Sequence, residues 1–206
     1  MCANFGLYCA LIRLGLYSFG RRVCCTCRTP PEKPVFQVLC LGLTGSGKSA
    51  IIYALSKDSI DKLEPTVGFL IKPLEFTDCI FEMKELGGAD NVRIYWDRYL
   101  SGVDALIYVV NSADTADNLQ LASQELTRIL QNKQLNNVPL LLMANHHDME
   151  DARSMDQLKQ IFDWPIISTN RQCIIHPSSI KNTDTIEQGF KKLCGKLQIN
   201  ASSPGK

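Results

Sequence analysis

The sequence predicts a doubly wound α/β domain carrying one antiparallel hairpin, on three observations. The apolar runs Val35 to Leu41, Ala105 to Val110 and Val138 to Ala144 are short, branched and without polar alternation, as strands buried on both faces of a parallel sheet are. The stretches Lys48 to Lys57, Asn118 to Gln131, Met155 to Phe162 and Thr185 to Leu197 repeat apolar residues at helical spacing. Gly68 to Leu86 has no helical period; Phe69, Ile71, Leu74 and Phe76, then Ile80, Phe81 and Met83, read as a hairpin. Strands alternating with helices place helices on both faces of the sheet.

The elements follow in chain order. Residues 1–33 form an extension: an apolar stretch from Phe5 to Phe19, then Arg21, Arg22 and a cysteine cluster, then Thr29 to Pro34 as a proline-rich linker. Residues 34–199 form the α/β domain, with a late strand at Cys173 to His176, and 200–206 a disordered tail. The chain of 206 residues, 45% hydrophobic and 21% charged, suits one domain plus an appendage. With net charge +1 and no aromatic residues interleaved with basic runs, no nucleic-acid partner is expected. Of the nine cysteines, Cys40, Cys79, Cys173 and Cys194 lie singly among apolar residues and read as buried thiols of a reduced, intracellular protein.

Gly42-Leu43-Thr44-Gly45-Ser46-Gly47-Lys48-Ser49 fits G-x-x-x-x-G-K-S, placed between a predicted strand and a predicted helix. The glycines let backbone N–H groups turn inward around phosphate oxygens, and the following helix adds the positive end of its dipole. Lys48 supplies a point charge and Ser49 a magnesium ligand. The motif alone leaves kinases, ATPases and GTPases open.

Base choice is read from Asn145-His146-His147-Asp148, an N-x-x-D at the carboxyl end of a predicted strand, where ligands of such sheets bind. The Asp148 carboxylate can accept from both the ring N–H and the amino group of guanine, and adenine offers no such pair. Asn145 can bond the purine edge and brace neighbouring loops. Downstream, in Pro177-Ser178-Ser179-Ile180, a backbone N–H can meet the guanine carbonyl.

With GLTGSGKS at 42–49, PTVGF at 65–69, ELGGADNVRIYWDRY at 85–99 and NHHD at 145–148, the chain resembles the Arf and Arf-like small GTPases from about Phe36 to Leu197. The resemblance implies the P-loop small GTPase fold: a doubly wound, mostly parallel six-stranded sheet with one antiparallel edge hairpin strand and helices on both faces. It implies GTP or GDP with magnesium as cofactors. Thr66 matches the family's magnesium-binding threonine in the triphosphate state, and Gly88 the glycine whose N–H meets the γ-phosphate. Both lie in segments that a γ-phosphate would order.

Where the family usually carries W-D-x-G-G-Q, this chain has Lys84-Glu85-Leu86-Gly87-Gly88-Ala89. Ala89 stands where the family's glutamine orients water, and a methyl group makes no hydrogen bond, so very slow or activator-dependent hydrolysis is expected. Glu85 replaces an aspartate that reaches magnesium through water. Lys84 replaces the tryptophan of an effector-binding apolar patch, whose other members match Phe69 and Tyr99. His146 replaces the lysine of N-K-x-D, which implies some loss of nucleotide affinity with guanine preference retained.

Cys2 follows the initiator methionine, which excludes N-myristoylation. Arg13 and the glycines Gly6, Gly15 and Gly20 interrupt the apolar stretch, which suits an interfacial helix better than a transmembrane span. Cys24, Cys25 and Cys27 beside Arg21, Arg22 and Arg28 resemble an S-acylation site; a zinc knuckle lacks its second ligand pair, and a secretory signal lacks basic residues before its apolar region. The expectation is a monomeric guanine-nucleotide switch at the cytoplasmic face of Golgi, endosomal or plasma membranes. It binds an effector through its switch loops and interswitch hairpin. The alternatives are a fixed scaffold of the same fold, favoured by Glu85, Ala89 and His146, and a P-loop kinase, for which no arginine-rich lid is present.

Overall fold

The computed structural model describes residues 33–56, 68–169 and 171–202, with side chains to residue 200. Six strands form one sheet: β1 (Val35–Leu41), β2 (Phe69–Glu75), β3 (Ile80–Leu86), β4 (Ala105–Asn111), β5 (Leu140–Asn145) and β6 (Cys173–Pro177). Their spatial order is β2-β3-β1-β4-β5-β6. Among the described strands only β2 runs antiparallel to its neighbour; the other strand pairings are parallel. The helices are α1 (Lys48–Ser56), α2 (Asp90–Arg93), α3 (Ala116–Leu130), α4 (Met155–Ile161), α5 (Trp164–Ser168) and α6 (Thr183–Ser202), with 3-10 turns at Trp96–Tyr99 and Lys133–Leu135.

The unbroken apolar runs follow from a sheet covered on both faces. Alternate residues of one strand enter opposite cores: Val38 and Cys40 pack with Ile51, Phe81, Phe190 and Leu193, whereas Leu39 and Leu41 pack with Trp96, Leu119, Leu126 and Leu158. The first core is closed by α1 and α6, the second by α3 and α4. Helix starts carry their sequence signals. Thr115 accepts from the Asn118 N–H, and Ser154 and Gln157 form a reciprocal capping box before α4, each satisfying amides that a helix start leaves open.

Several boundaries differ from expectation. β5 starts at Leu140 rather than Val138, because the Val138 N–H closes the preceding turn onto Leu135 O at 3.2 Å and Pro139 has no N–H to give. The helix α6 continues past Leu197 to Ser202, so residues 200–202, expected in a disordered tail, are helical. In β2 the apolar residues are split between faces: Phe69 and Ile71 are 57% and 56% exposed while Leu74 is buried. Phe76 lies beyond the strand and stacks on Phe190, ring centroids 5.7 Å apart. Cys40, Cys79 and Cys194 are buried as expected, but Cys173 is only half-buried. The extension with Cys24, Cys25 and Cys27, and the segment with Thr66, lie outside the described residues. No described helix is long and apolar enough to cross a membrane.

Candidate functional site

The carboxyl ends of β1, β3, β4, β5 and β6 bring most of the predicted residues to one edge of the sheet. Gly42 to Gly47 form the loop between β1 and α1, and its turn depends on glycine. Gly42, Gly45 and Gly47 have φ of 149°, 77° and 88°, values that side-chain-bearing residues rarely adopt. A methyl group at Gly42 would also lie 2.2 Å from the Val109 carbonyl, and one at Gly47 2.1 Å from the Asn145 amide nitrogen. Leu43 anchors the loop in the core, and Thr44 and Gly45 are exposed at its tip.

Lys48 opens α1 and is buried. Its ammonium arches back over the loop and donates to Gly42 O and Leu43 O, each at 2.9 Å. Burial pulls its pKa below the ordinary lysine value, opposed by the neighbouring Glu85 carboxylate. One position on, the Ser49 hydroxyl donates to Glu85 Oε1 at 2.6 Å. A hydroxyl and a carboxylate, two hard oxygen donors in contact beside the phosphate loop, fit magnesium. Ser49 and Glu85 are the described groups that would hold the ion, Glu85 through water; the expected third ligand, Thr66, lies outside the described residues.

Gly88 is buried against the loop: a methyl group there would lie 2.3 Å from Leu43 C and 2.4 Å from Gly42 O and Thr44 N. Ala89 is exposed and caps α2 in extended conformation.

On the base side, Asn145 is fully buried and its amide donates to Ser46 O at 3.0 Å, bracing the phosphate loop as expected. Asn145 Oδ1, Ser46 Oγ and Ser178 Oγ are buried without a hydrogen-bond partner among the described residues. Buried polar atoms rarely go unsatisfied, so this rim suits a polar ligand such as a purine nucleotide. His146 adopts φ 58° and approaches Gly47; its Nε2 lies 3.5 Å from the place a methyl group there would take.

Asp148 meets Lys181 at 2.9 Å. Hydrogen bonds from Lys181 and then Ser179 hold its carboxyl down at about 2, so it is an ionised acceptor at neutral pH. The Ser178 and Ser179 amides are already engaged, by Ala144 O at 2.8 Å and Thr185 Oγ1 at 3.2 Å. Both serine amides expected near a guanine carbonyl are thus committed within the protein.

Three neighbours of the site were not legible in the sequence as such. Lys181 and Thr185 act on Asp148 and Ser179 as above. Trp96, fully buried, donates from Nε1 to Gly87 O at 3.0 Å. Trp96 lies within the ELGGADNVRIYWDRY segment, but the sequence holds no signal that its ring reaches back to the glycine pair.

Residues 29–197 match the ADP-ribosylation factor family. ADP-ribosylation factor-like protein 15 of Mus musculus is 38% identical over 182 residues, 88% of this chain and 89% of that protein, and that of Homo sapiens is 39% identical over the same shares. Among solved structures, the Arl6 BBS3 small GTPase from Trypanosoma brucei with bound nucleotide analogue GppNp superposes with a TM-score of 0.73 at 26% identity. It matches 80% of this chain and 98% of that one. A phosphate loop, a buried asparagine and a base-side aspartate on a sheet with one antiparallel edge strand accord with these likenesses: the chain belongs to the ADP-ribosylation factor family of small GTPases.

Proposed function

We propose that this chain is a guanine-nucleotide switch whose GTP-magnesium form binds a protein effector at a membrane surface. Family membership supports a GTP-binding switch in general terms. The observation that carries the finer reading is the packing of Gly88 on the phosphate loop, with Gly42, Leu43 and Thr44 atoms within 2.4 Å of where its side chain would start. A segment resting on this loop is displaced or held by whatever the loop binds, and a ligand shifts such a segment by favouring one arrangement. Lys48, Gly88 and the loop amides take the phosphates, Asn145 and Asp148 the guanine, and Ser49, Thr66 and Glu85 the magnesium.

The effector surface is the exposed face of the β2–β3 hairpin with the segment after Gly88. Phe69 and Ile71 stand out of the edge strand, and the Phe69 ring lies 6.4 Å from that of Tyr99. Lys84 is paired directly opposite Ile71, so an ammonium interrupts this apolar face. It favours an effector with an acidic group over one that needs an aromatic there. Membrane attachment through the N-terminal extension, with S-acylation at Cys24, Cys25 or Cys27, completes the reading, and the protein acts as a monomer.

One observation favours a second reading, a fixed scaffold: Ala89 offers no group to orient an attacking water. Titration of the nucleotide-stripped full-length chain with fluorescent GDP, GTP and ATP in magnesium tests nucleotide binding itself. Saturable binding of GDP and GTP, with ATP failing to compete, is expected. Absence of binding by all three would leave only a scaffold.

A further inference from the structure

Gly88 has no side chain to hold it, yet its two flanking peptide planes are both gripped. The Gly87–Gly88 peptide carries the Gly88 N–H, and its carbonyl accepts from Trp96 Nε1 at 3.0 Å. The carbonyl of the next peptide, Gly88–Ala89, accepts from Arg93 Nη1 at 3.3 Å. Peptides are planar and trans, so holding each carbonyl restrains the plane that contains it. The two contacts together restrain both Gly88 dihedrals, which a glycine would otherwise leave loose.

Arg93 is itself anchored. Its side chain is 13% exposed and pairs with Asp90 at 2.8 Å and with Glu125 of α3 at 3.5 Å. The second oxygen of Glu125 accepts from Arg128 at 3.0 Å. Arg128 in turn reaches Asp97 at 2.7 Å and Arg93 O at 3.4 Å. One carboxylate on α3 thus faces two guanidinium groups, by an ion pair with Arg93, whose Nε makes no hydrogen bond among the described residues, and by a hydrogen bond from Arg128. A planar guanidinium with several fixed donors can serve Glu125 and a carbonyl together, which a lysine ammonium on its flexible stem does less well.

We propose that Arg93, anchored by Glu125, is a positioning residue for the γ-phosphate: it holds the Gly88 backbone so that its N–H is pre-aimed, and so sets the preference for GTP over GDP. This rests on the reading in which Gly88 meets the γ-phosphate. It adds a route from that contact to α3, on which neither the phosphate loop nor the base residues lie.

The test is the ratio of affinities of the full-length chain for a non-hydrolysable GTP analogue and for GDP, in magnesium, in wild type, Arg93→Gln, Arg93→Lys and Glu125→Gln. Loss of one charge-assisted hydrogen bond predicts a fall of roughly tenfold for the GTP analogue in Arg93→Gln, with GDP affinity held within about twofold. Glu125→Gln is expected to shift the ratio the same way by less, and Arg93→Lys to restore only part of it. Equal losses for both nucleotides, or an unchanged ratio, overturn the proposal while leaving the switch reading intact. If Arg93→Gln does not fold, the half-buried Glu125→Gln decides by the same ratio. Wild type binding neither nucleotide would overturn the underlying reading as well.

Discussion

Asp148→Asn is expected to lower affinity for GDP and GTP by roughly a hundredfold to ten-thousandfold and to confer binding of xanthosine nucleotides in exchange. The aspartate is ionised at neutral pH, its carboxyl held at about 2 by Lys181 and Ser179. Guanine presents it with two N–H donors, and hydrogen bonds to a charged partner contribute about 1.5–3 kcal/mol each. Asparagine loses one of these bonds outright, removes the charge from the other and sets two donors against each other, which together costs about 3–6 kcal/mol, or two to four powers of ten at about 1.4 kcal/mol per tenfold. An asparagine amide turns a donor toward the guanine amino group, where two donors meet. Xanthine has a carbonyl in place of that amino group, so the amide donates to it while its oxygen accepts from the ring N–H. The substitution also removes the exposed ion pair with Lys181, but pairs of that kind contribute little to stability, so folding is not at stake. Competition of guanosine and xanthosine diphosphates for the wild-type and variant proteins reads the exchange. Unchanged guanosine affinity would move base recognition away from Asp148.

Ala89→Gln is expected to raise the rate of bound-GTP hydrolysis by about a hundredfold. Ala89 is exposed, next to the glycine that packs on the phosphate loop, with extended backbone at φ −69° and ψ 151°. A longer side chain there meets solvent rather than core, so a glutamine amide is free to align water. Restoring one well-placed catalytic hydrogen bond is worth about 3 kcal/mol in the transition state. Single-turnover release of phosphate from preloaded protein measures it directly. No change in rate would place the limitation elsewhere, in the Glu85 carboxylate or in the need for an activating partner.

Much of this arrangement was legible in the sequence because backbone demands leave residue signatures. The phosphate loop could be read from Gly42, Gly45 and Gly47, since a chain turning its amides inward requires positive φ at those points. The central strands could be read because burial on both faces removes polar alternation. Leu74 was harder: Phe69 and Ile71 shared the expected face, but the inward residues of β2 are Leu70 and Leu74, and apolar residues on both sides of an edge strand hide its phase. The short α2 and α5 escaped because a turn or so of helix has no period to detect, and Pro165 at the start of α5 reads equally as a loop.

The site divides in the same way. Asn145 and Asp148 were legible from their place at the end of a buried run. The engagement of Ser179 by Thr185, of Asp148 by Lys181 and of the Gly88 peptides by Trp96 and Arg93 was not. Each is a pairing that only the folded chain creates, between residues whose types are common at any surface or core. Thr66 stands on the sequence resemblance alone, as do the cysteines of the extension on the pattern of residues around them.

The central claim, that this chain changes state with its nucleotide, is tested most directly by hydrogen exchange of the full-length protein loaded in magnesium with GDP or with a non-hydrolysable GTP analogue. Slower exchange with the analogue is expected in the segment around Thr66 and in Gly87 to Tyr99, with no difference in the buried strand Leu140–Asn145. Identical exchange in both segments for the two loaded forms would contradict it and establish a fixed scaffold in place of a switch.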